Sequence, residues 1–137
     1  MPREIAVKFM LLIYNDKALL DELPTGEFAA RMRQCLTHAD ELKGQGTLLD
    51  TQMLAASSAA KSVRIRNGRQ STLDGPFAET KEVIAGFNVI EADTMDEAVR
   101  IAAEFPWTRT GCVEVRPILD VDAVRASVAS TERKHDR

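Results

Sequence analysis

Ile5-Ala6-Val7-Lys8-Phe9-Met10-Leu11-Leu12-Ile13-Tyr14 is the stretch that decides how this chain folds. Val7, Phe9, Leu11 and Ile13 alternate onto one face, as side chains do along a strand. Met10 and Leu12 make most of the opposite face apolar as well. A strand apolar on both faces is central, with something packed against each. One layer of helices covers only one of them, so the other needs a separate cover.

Downstream, Pro24-Thr25-Gly26 ends a connection and Glu27 to Lys43 takes a helical period. Phe28, Met32, Cys35, Leu36, Ala39 and Leu42 fall on one stripe, and Gly44 and Gly46 stop the helix. Thr47 to Leu54 reads as a second strand, followed by a small-residue connector, Ala55 to Ala60. Asn67-Gly68, set between Ser62 to Arg66 and Arg69 to Leu73, signals a hairpin, because both turn positions tolerate φ > 0. Past a loop from Asp74 to Glu82, Val83 to Glu91 alternates as a strand. The spacing then predicts a helix from Met95 to Phe105, buried through Ala98, Ile101, Ala102 and Phe105. Thr94 and Glu97 form its capping box and Pro106 ends it. Cys112 to Ile118 is the last strand. Asp120 to Arg137 reads as a short helix through Val121, Val124 and Val128, with a charged, mobile tail from Thr131.

This order predicts an α+β fold: a ferredoxin-like βαββαβ sheet with an inserted β-hairpin over residues 1–118. Residues 119–137 form a C-terminal helical or mobile charged tail. Such a sheet carries its helices on one face, and the two-sided first strand predicts the other cover, the sheet of a second subunit. A homodimer follows.

The 137 residues suit one domain with a real core. Hydrophobic residues make up 45% and charged ones 28%, which excludes a disordered or collagen-like chain. Eighteen Lys+Arg against 21 Asp+Glu leave a net charge of −3, so no general attraction to nucleic acid or anionic membranes is expected. Cys35 and Cys112 stand in no metal-binding spacing, so no metal site is expected. The apolar run Phe9 to Ile13 is too short for a signal peptide or a span, which makes the cytoplasm the default compartment. No GxGxxG, phosphate loop, GxSxG or HExxH is present, and no cofactor is expected.

Chemistry concentrates in Asp74-Gly75-Pro76-Phe77-Ala78-Glu79-Thr80-Lys81-Glu82. Asp-Gly-Pro is turn chemistry, Phe77 can anchor the loop in the core, and four charges crowd into nine residues. A binding-site wall and a well-made turn with a solvated charge run both fit. Tyr14 ends the central strand, while Glu114 and Arg116 share a face of the last one. A converging phenol, carboxylate and guanidinium could hold a small carboxylate. A cross-strand ion pair with a Tyr at the sheet edge explains them equally well. Lys61, Arg64, Arg66 and Arg69 make the hairpin basic, but no aromatic residues interleave for base stacking. His38 reads as a solvated boundary residue and Cys35 as a core thiol.

The nine residues DGPFAETKE resemble the signature of the DGPF-domain proteins, a branch of the YCII-related family. Lys8 to Tyr14, Ala85-Gly86-Phe87 and Glu114-Val115-Arg116-Pro117 agree with it, so the resemblance spans roughly residues 5 to 118. It implies a dimer whose two sheets face each other, similar to the dimeric α+β barrels. It also implies bacterial proteins, some encoded near alternative sigma factors, with no generally established reaction. Some YCII-like relatives carry a proposed catalytic His/Asp pair, with the His roughly where Met32 to Cys35 fall here. This chain has no His there, so that pair cannot be carried over.

The expected function is small-molecule binding, or acid–base catalysis without a redox cofactor, in a pocket between the sheet and the Asp74 to Glu82 loop. Asp74 and Glu79 would transfer protons or bind substrate. Lys81 and Arg116 would hold an anion, with Tyr14 and Glu114 completing the ligand contacts. The alternative is an interaction module accessory to transcription regulation, working through the basic hairpin or the tail.

Overall fold

The computed structural model describes residues 7–135, so Ile5 and Ala6 of the opening stretch lie outside the described residues. Its elements are β1 (Val7–Asp16), α1 (Lys17–Asp21), α2 (Glu27–Gly44), β2 (Leu48–Met53), β3 (Lys61–Arg66), β4 (Arg69–Asp74), β5 (Glu82–Ala92), α3 (Met95–Ala103), β6 (Gly111–Pro117) and α4 (Val121–His135). Four strands form one sheet in the order β2-β5-β1-β6, every neighbouring pair antiparallel. β1 is therefore an inner strand. The architecture is α+β with a mainly antiparallel sheet, compatible with a ferredoxin-like plan. β3 and β4 pair only with each other.

The core lies between one sheet face and the helices. Phe9, Leu11 and Ile13 of β1, Ile90 and Ala92 of β5, and Leu48 of β2 meet Cys35, Ala39 and Leu42 of α2 and Ala98, Ile101 and Ala102 of α3. A fully buried Leu such as Leu11 contributes about 2 kcal/mol of hydrophobic stabilisation. Phe28 and Leu36 are 45% and 47% exposed, so the buried arc of α2 is narrower than its apolar stripe. Leu36 lies one residue, and so about 100° of helix rotation, off the Cys35–Ala39–Leu42 line. Phe28 instead packs its ring 5.7 Å from that of Trp107.

α3 ends at Ala103, two residues short of Phe105, which joins the core just before a 3-10 turn, Pro106–Thr108. That turn carries Trp107 into the core, where the indole Nε1 donates to Cys35 Sγ at 3.3 Å. The donor of a buried indole is thereby satisfied. At the other end of α3, Thr94 Oγ1 accepts from the Glu97 N–H, as the capping spacing predicts. The Glu97 carboxylate reaches one residue further back, to the Asp93 N–H.

The Asn67-Gly68 turn takes the expected positive φ at both residues, 54° and 75°. The hairpin leaves the sheet at the Asp16 end of β1, because β2 runs out at Met53 opposite Gly86 and β5 begins at Glu82 opposite Asp16. Val63 and Ile65 of the hairpin are 61% and 62% exposed. Phe77 is 76% exposed and does not anchor its loop in the core. The loop is tied instead to the connector before β3: Gly75 N–H donates to the Ala60 carbonyl and Ser62 Oγ to that of Gly75. α4 begins at the opposite end of the sheet, since Pro117 pairs with Phe9. It is helical past Thr131, where a charged tail was expected to begin.

Candidate functional site

The sheet face away from α2 and α3 carries the candidate site. Along β1, Met10, Leu12 and Tyr14 point to this face, each half-buried. Val89 and Phe87 of β5 stand opposite Met10 and Leu12. On the other side Arg116, Glu114 and Cys112 of β6 stand opposite Met10, Leu12 and Tyr14. Asp50 and Gln52 of β2 pair with Val89 and Phe87 and close the far edge. The two inner strands thus give an apolar centre and the two outer strands polar edges. That is the pattern of a binding surface: an apolar middle with a polar rim.

The polar edges are internally bonded. Arg116 Nε donates to Glu114 Oε2 at 2.8 Å, and its Nη2 donates to the same oxygen. The guanidinium stays 67% exposed, so its remaining donors face outward. Gln52 Nε2 donates to Asp50 Oδ1 at 3.1 Å on the β2 edge. Cys112 Sγ–H donates to Glu82 Oε2 at 3.5 Å. Burial, the proton-holding bond to Glu82, and the charges of Glu82 and Glu114 all push the Cys112 thiol above its ordinary value. It is therefore a thiol at neutral pH and a poor nucleophile. Burial also raises Cys35, and the bond donated by Trp107 opposes that only in part.

Of the residues singled out in the sequence, Tyr14, Glu114 and Arg116 share the open face. Asp74 ends β4, and Glu79 and Lys81 lie between β4 and β5. Asp74 Oδ1 accepts from Lys61 Nζ at 2.6 Å across the base of the hairpin, both side chains exposed. Glu79 is exposed on the loop. Lys81 Nζ lies 3.6 Å from Oδ2 of Asp16, at the end of β1.

Asp16 itself went unread in the sequence. Its side chain, 5% exposed, accepts from the Ala18 N–H and starts α1, while its own N–H donates to the Thr110 carbonyl at 2.8 Å. Thr110 Oγ1 in turn donates to Asn15 Oδ1. An Asp directly before a run of helix formers is an N-cap signal that could have located this corner.

His38 is not solvated. Its side chain is 11% exposed, the ring stands edge-on to Phe105 at 4.5 Å, and Nε2 lies 3.4 Å from Glu104 Oε2 and 3.5 Å from the Ile101 carbonyl. Gln34, Thr37, Glu41 and Glu104 surround it in an open depression of about 310 Å³. This hollow lies on the helical side, away from the Asp74 to Glu82 loop. Among the described residues no three His, Cys, Asp or Glu side chains are placed to hold a metal ion. No helix of the described residues is long and apolar enough to cross a membrane.

The family model described as "YCII-related domain" matches residues 7–122. The chain is also 32% identical over 112 residues to "Uncharacterized protein R00369" of Rhizobium meliloti (strain 1021), covering 80% of this chain and 90% of that protein.

Proposed function

The chain belongs to the YCII-related family, and on that premise we propose that its open sheet face binds a small carboxylate with an apolar body, covered by the same face of a second copy. One observation carries this reading: four half-buried apolar side chains, Met10, Leu12, Phe87 and Val89, sit together on the face opposite the one that α2 and α3 pack against, bordered by Arg116. Water is a poor neighbour for so much contiguous apolar surface, and a second identical face buries both at once. Arg116, already held by Glu114, supplies the outward guanidinium donors for an anion. Tyr14 offers a hydroxyl four residues along the same strand face, about 13 Å from Met10. Asp74 is exposed and paired with Lys61 and Glu79 is exposed on its loop, so the reading is one of binding and assigns neither a proton-transfer role.

The test uses 1-anilinonaphthalene-8-sulfonate, an apolar anion whose fluorescence reports the bound state, with light scattering to give the mass in solution. A dimeric wild type that binds the probe is expected. Arg116→Ala stays dimeric and binds it about tenfold more weakly, the loss due to one charge-assisted contact. Unchanged affinity in Arg116→Ala, or a monomeric wild type, overturns the reading.

A further inference from the structure

We infer that the ligand of this face is an elongated zwitterion, its carboxylate at Arg116 and an ammonium group about ten carbon–carbon bonds away at Glu82, an inference that rests on the binding reading above. Glu82 makes an unusual contact. It starts β5, and Cys112 lies near the start of β6, yet these strands flank β1 on opposite sides, their backbones about 10 Å apart. The 3.5 Å bond from Cys112 Sγ to Glu82 Oε2 therefore needs the glutamate to extend across β1. Cys112 stands opposite Tyr14, which shares the face of Met10 and Leu12. The Glu82 carboxylate thus lies on that face, at the level of Tyr14.

The carboxylate arrives there with its charge uncompensated. Lys81, its neighbour in the chain, is turned to Asp16 Oδ2 at 3.6 Å, and among the described residues Glu82 has no cation within ion-pair distance. The thiol that bonds it is neutral and cancels no charge. Cys112 also registers the field at this end: after burial, the bond to Glu82 and the charges of Glu82 and Glu114 raise its thiol.

The two ends of the face therefore differ in sign. Arg116 stands opposite Met10 and bonds a single oxygen of Glu114, which leaves outward donors for a carboxylate. The Glu82 carboxylate lies at Tyr14, about 13 Å along the strand from Met10. Between them Leu12 and Phe87 are paired and apolar, a floor suited to a methylene chain. A dicarboxylate would set like charges together at the Glu82 end. An uncharged tail would leave that carboxylate without a counter-ion once a covering copy excludes water. An ammonium group satisfies it, and the opposite charges at the two ends fix the direction in which the chain lies.

Competition for the protein-bound fluorescent probe 1-anilinonaphthalene-8-sulfonate at neutral pH tests this, with 11-aminoundecanoate, undecanoate, undecanedioate and 6-aminohexanoate as competitors. Expected is displacement by 11-aminoundecanoate at about tenfold lower concentration than by undecanoate, through one added charge-assisted contact, with undecanedioate the weakest of the three. The short 6-aminohexanoate carries the same charges on half the chain and should compete about tenfold more weakly than 11-aminoundecanoate. Glu82→Gln keeps an acceptor for the Cys112 thiol but removes the charge, and should bring 11-aminoundecanoate to within about twofold of undecanoate. Equal displacement by the three long chains, equal displacement by 6-aminohexanoate, or an amino-acid advantage that persists in Glu82→Gln overturns the zwitterion. Undecanoate binding that Arg116→Ala weakens then leaves the binding reading standing. A wild type that binds neither the probe nor any chain overturns both.

Discussion

Replacing Gly111 by alanine tests the closest approach met by any glycine of the described residues. β6 starts there, opposite Asn15, and a Cβ on Gly111 would lie 1.9 Å from the Tyr14 carbonyl oxygen and 2.8 Å from Asn15 Cα. Both neighbours are backbone, so no side chain can swing aside. The strands must part by roughly 1 Å before the methyl fits, which is severe overpacking. Such a shift breaks the 2.8 Å bond from the Asp16 N–H to the Thr110 carbonyl and strands buried groups there. Overpacking of about 2 kcal/mol and a lost buried hydrogen bond of about 1 kcal/mol predict a loss of about 3 kcal/mol. The midpoint of thermal unfolding then falls by roughly 10 °C for a domain of this size. Urea unfolding at two protein concentrations measures the loss and separates it from any effect of association. Gly44→Ala is the internal contrast: nothing lies within 4 Å of that Cβ, and helical alanine should stabilise by up to about 1 kcal/mol. A Gly111→Ala loss below about 0.5 kcal/mol would show that the close approach is not a constraint.

Three further outcomes are expected. Iodoacetamide should alkylate Cys112 before buried Cys35, and Glu82→Gln should speed the Cys112 reaction near pH 8 by removing a charge and a bond that hold the proton; equal rates in the two proteins would discount Glu82. Cys35 keeps its proton in the folded chain while the unfolded chain loses it near the ordinary value of 9.0, so stability should fall as pH rises through and beyond 9. A Cys35→Ala variant should flatten that part of the profile, and an unchanged slope would assign the fall to other groups. Thr94→Ala should cost about 1 kcal/mol by freeing the Glu97 N–H at the start of α3, read by urea unfolding; an unchanged midpoint would mean water caps the helix equally well.

Local signals were the ones most legible in the sequence. The Asn67-Gly68 turn, the Thr94 cap and the central position of β1 each follow from two to ten neighbouring residues. Readings that depend on distant residues went astray. Phe77 reads as an anchor beside Gly75 and Pro76, yet whether a loop tip meets core depends on where the sheet ends, and it is 76% exposed. Trp107 carries no periodic signal, because the three residues Pro106–Thr108 are too few to show one, and its burial depends on Cys35 lying 72 residues away. His38 reads as solvated on a helical wheel, but α3 brings Phe105 and Glu104 against it.

For the site, residue type and strand parity alone put Glu114 and Arg116 on one face. Their alternation along an extended backbone is enforced locally by the pleat. Tertiary structure alone decided that Tyr14 joins them, that Asp74 is spent on Lys61, and that Lys81 lies beside Asp16. Those facts depend on register between strands far apart in the chain, and register is set by packing rather than by neighbours. The two-sided apolar character of the first strand was written in ten residues; which of its faces meets the core was decided only when α2 and α3 packed on it.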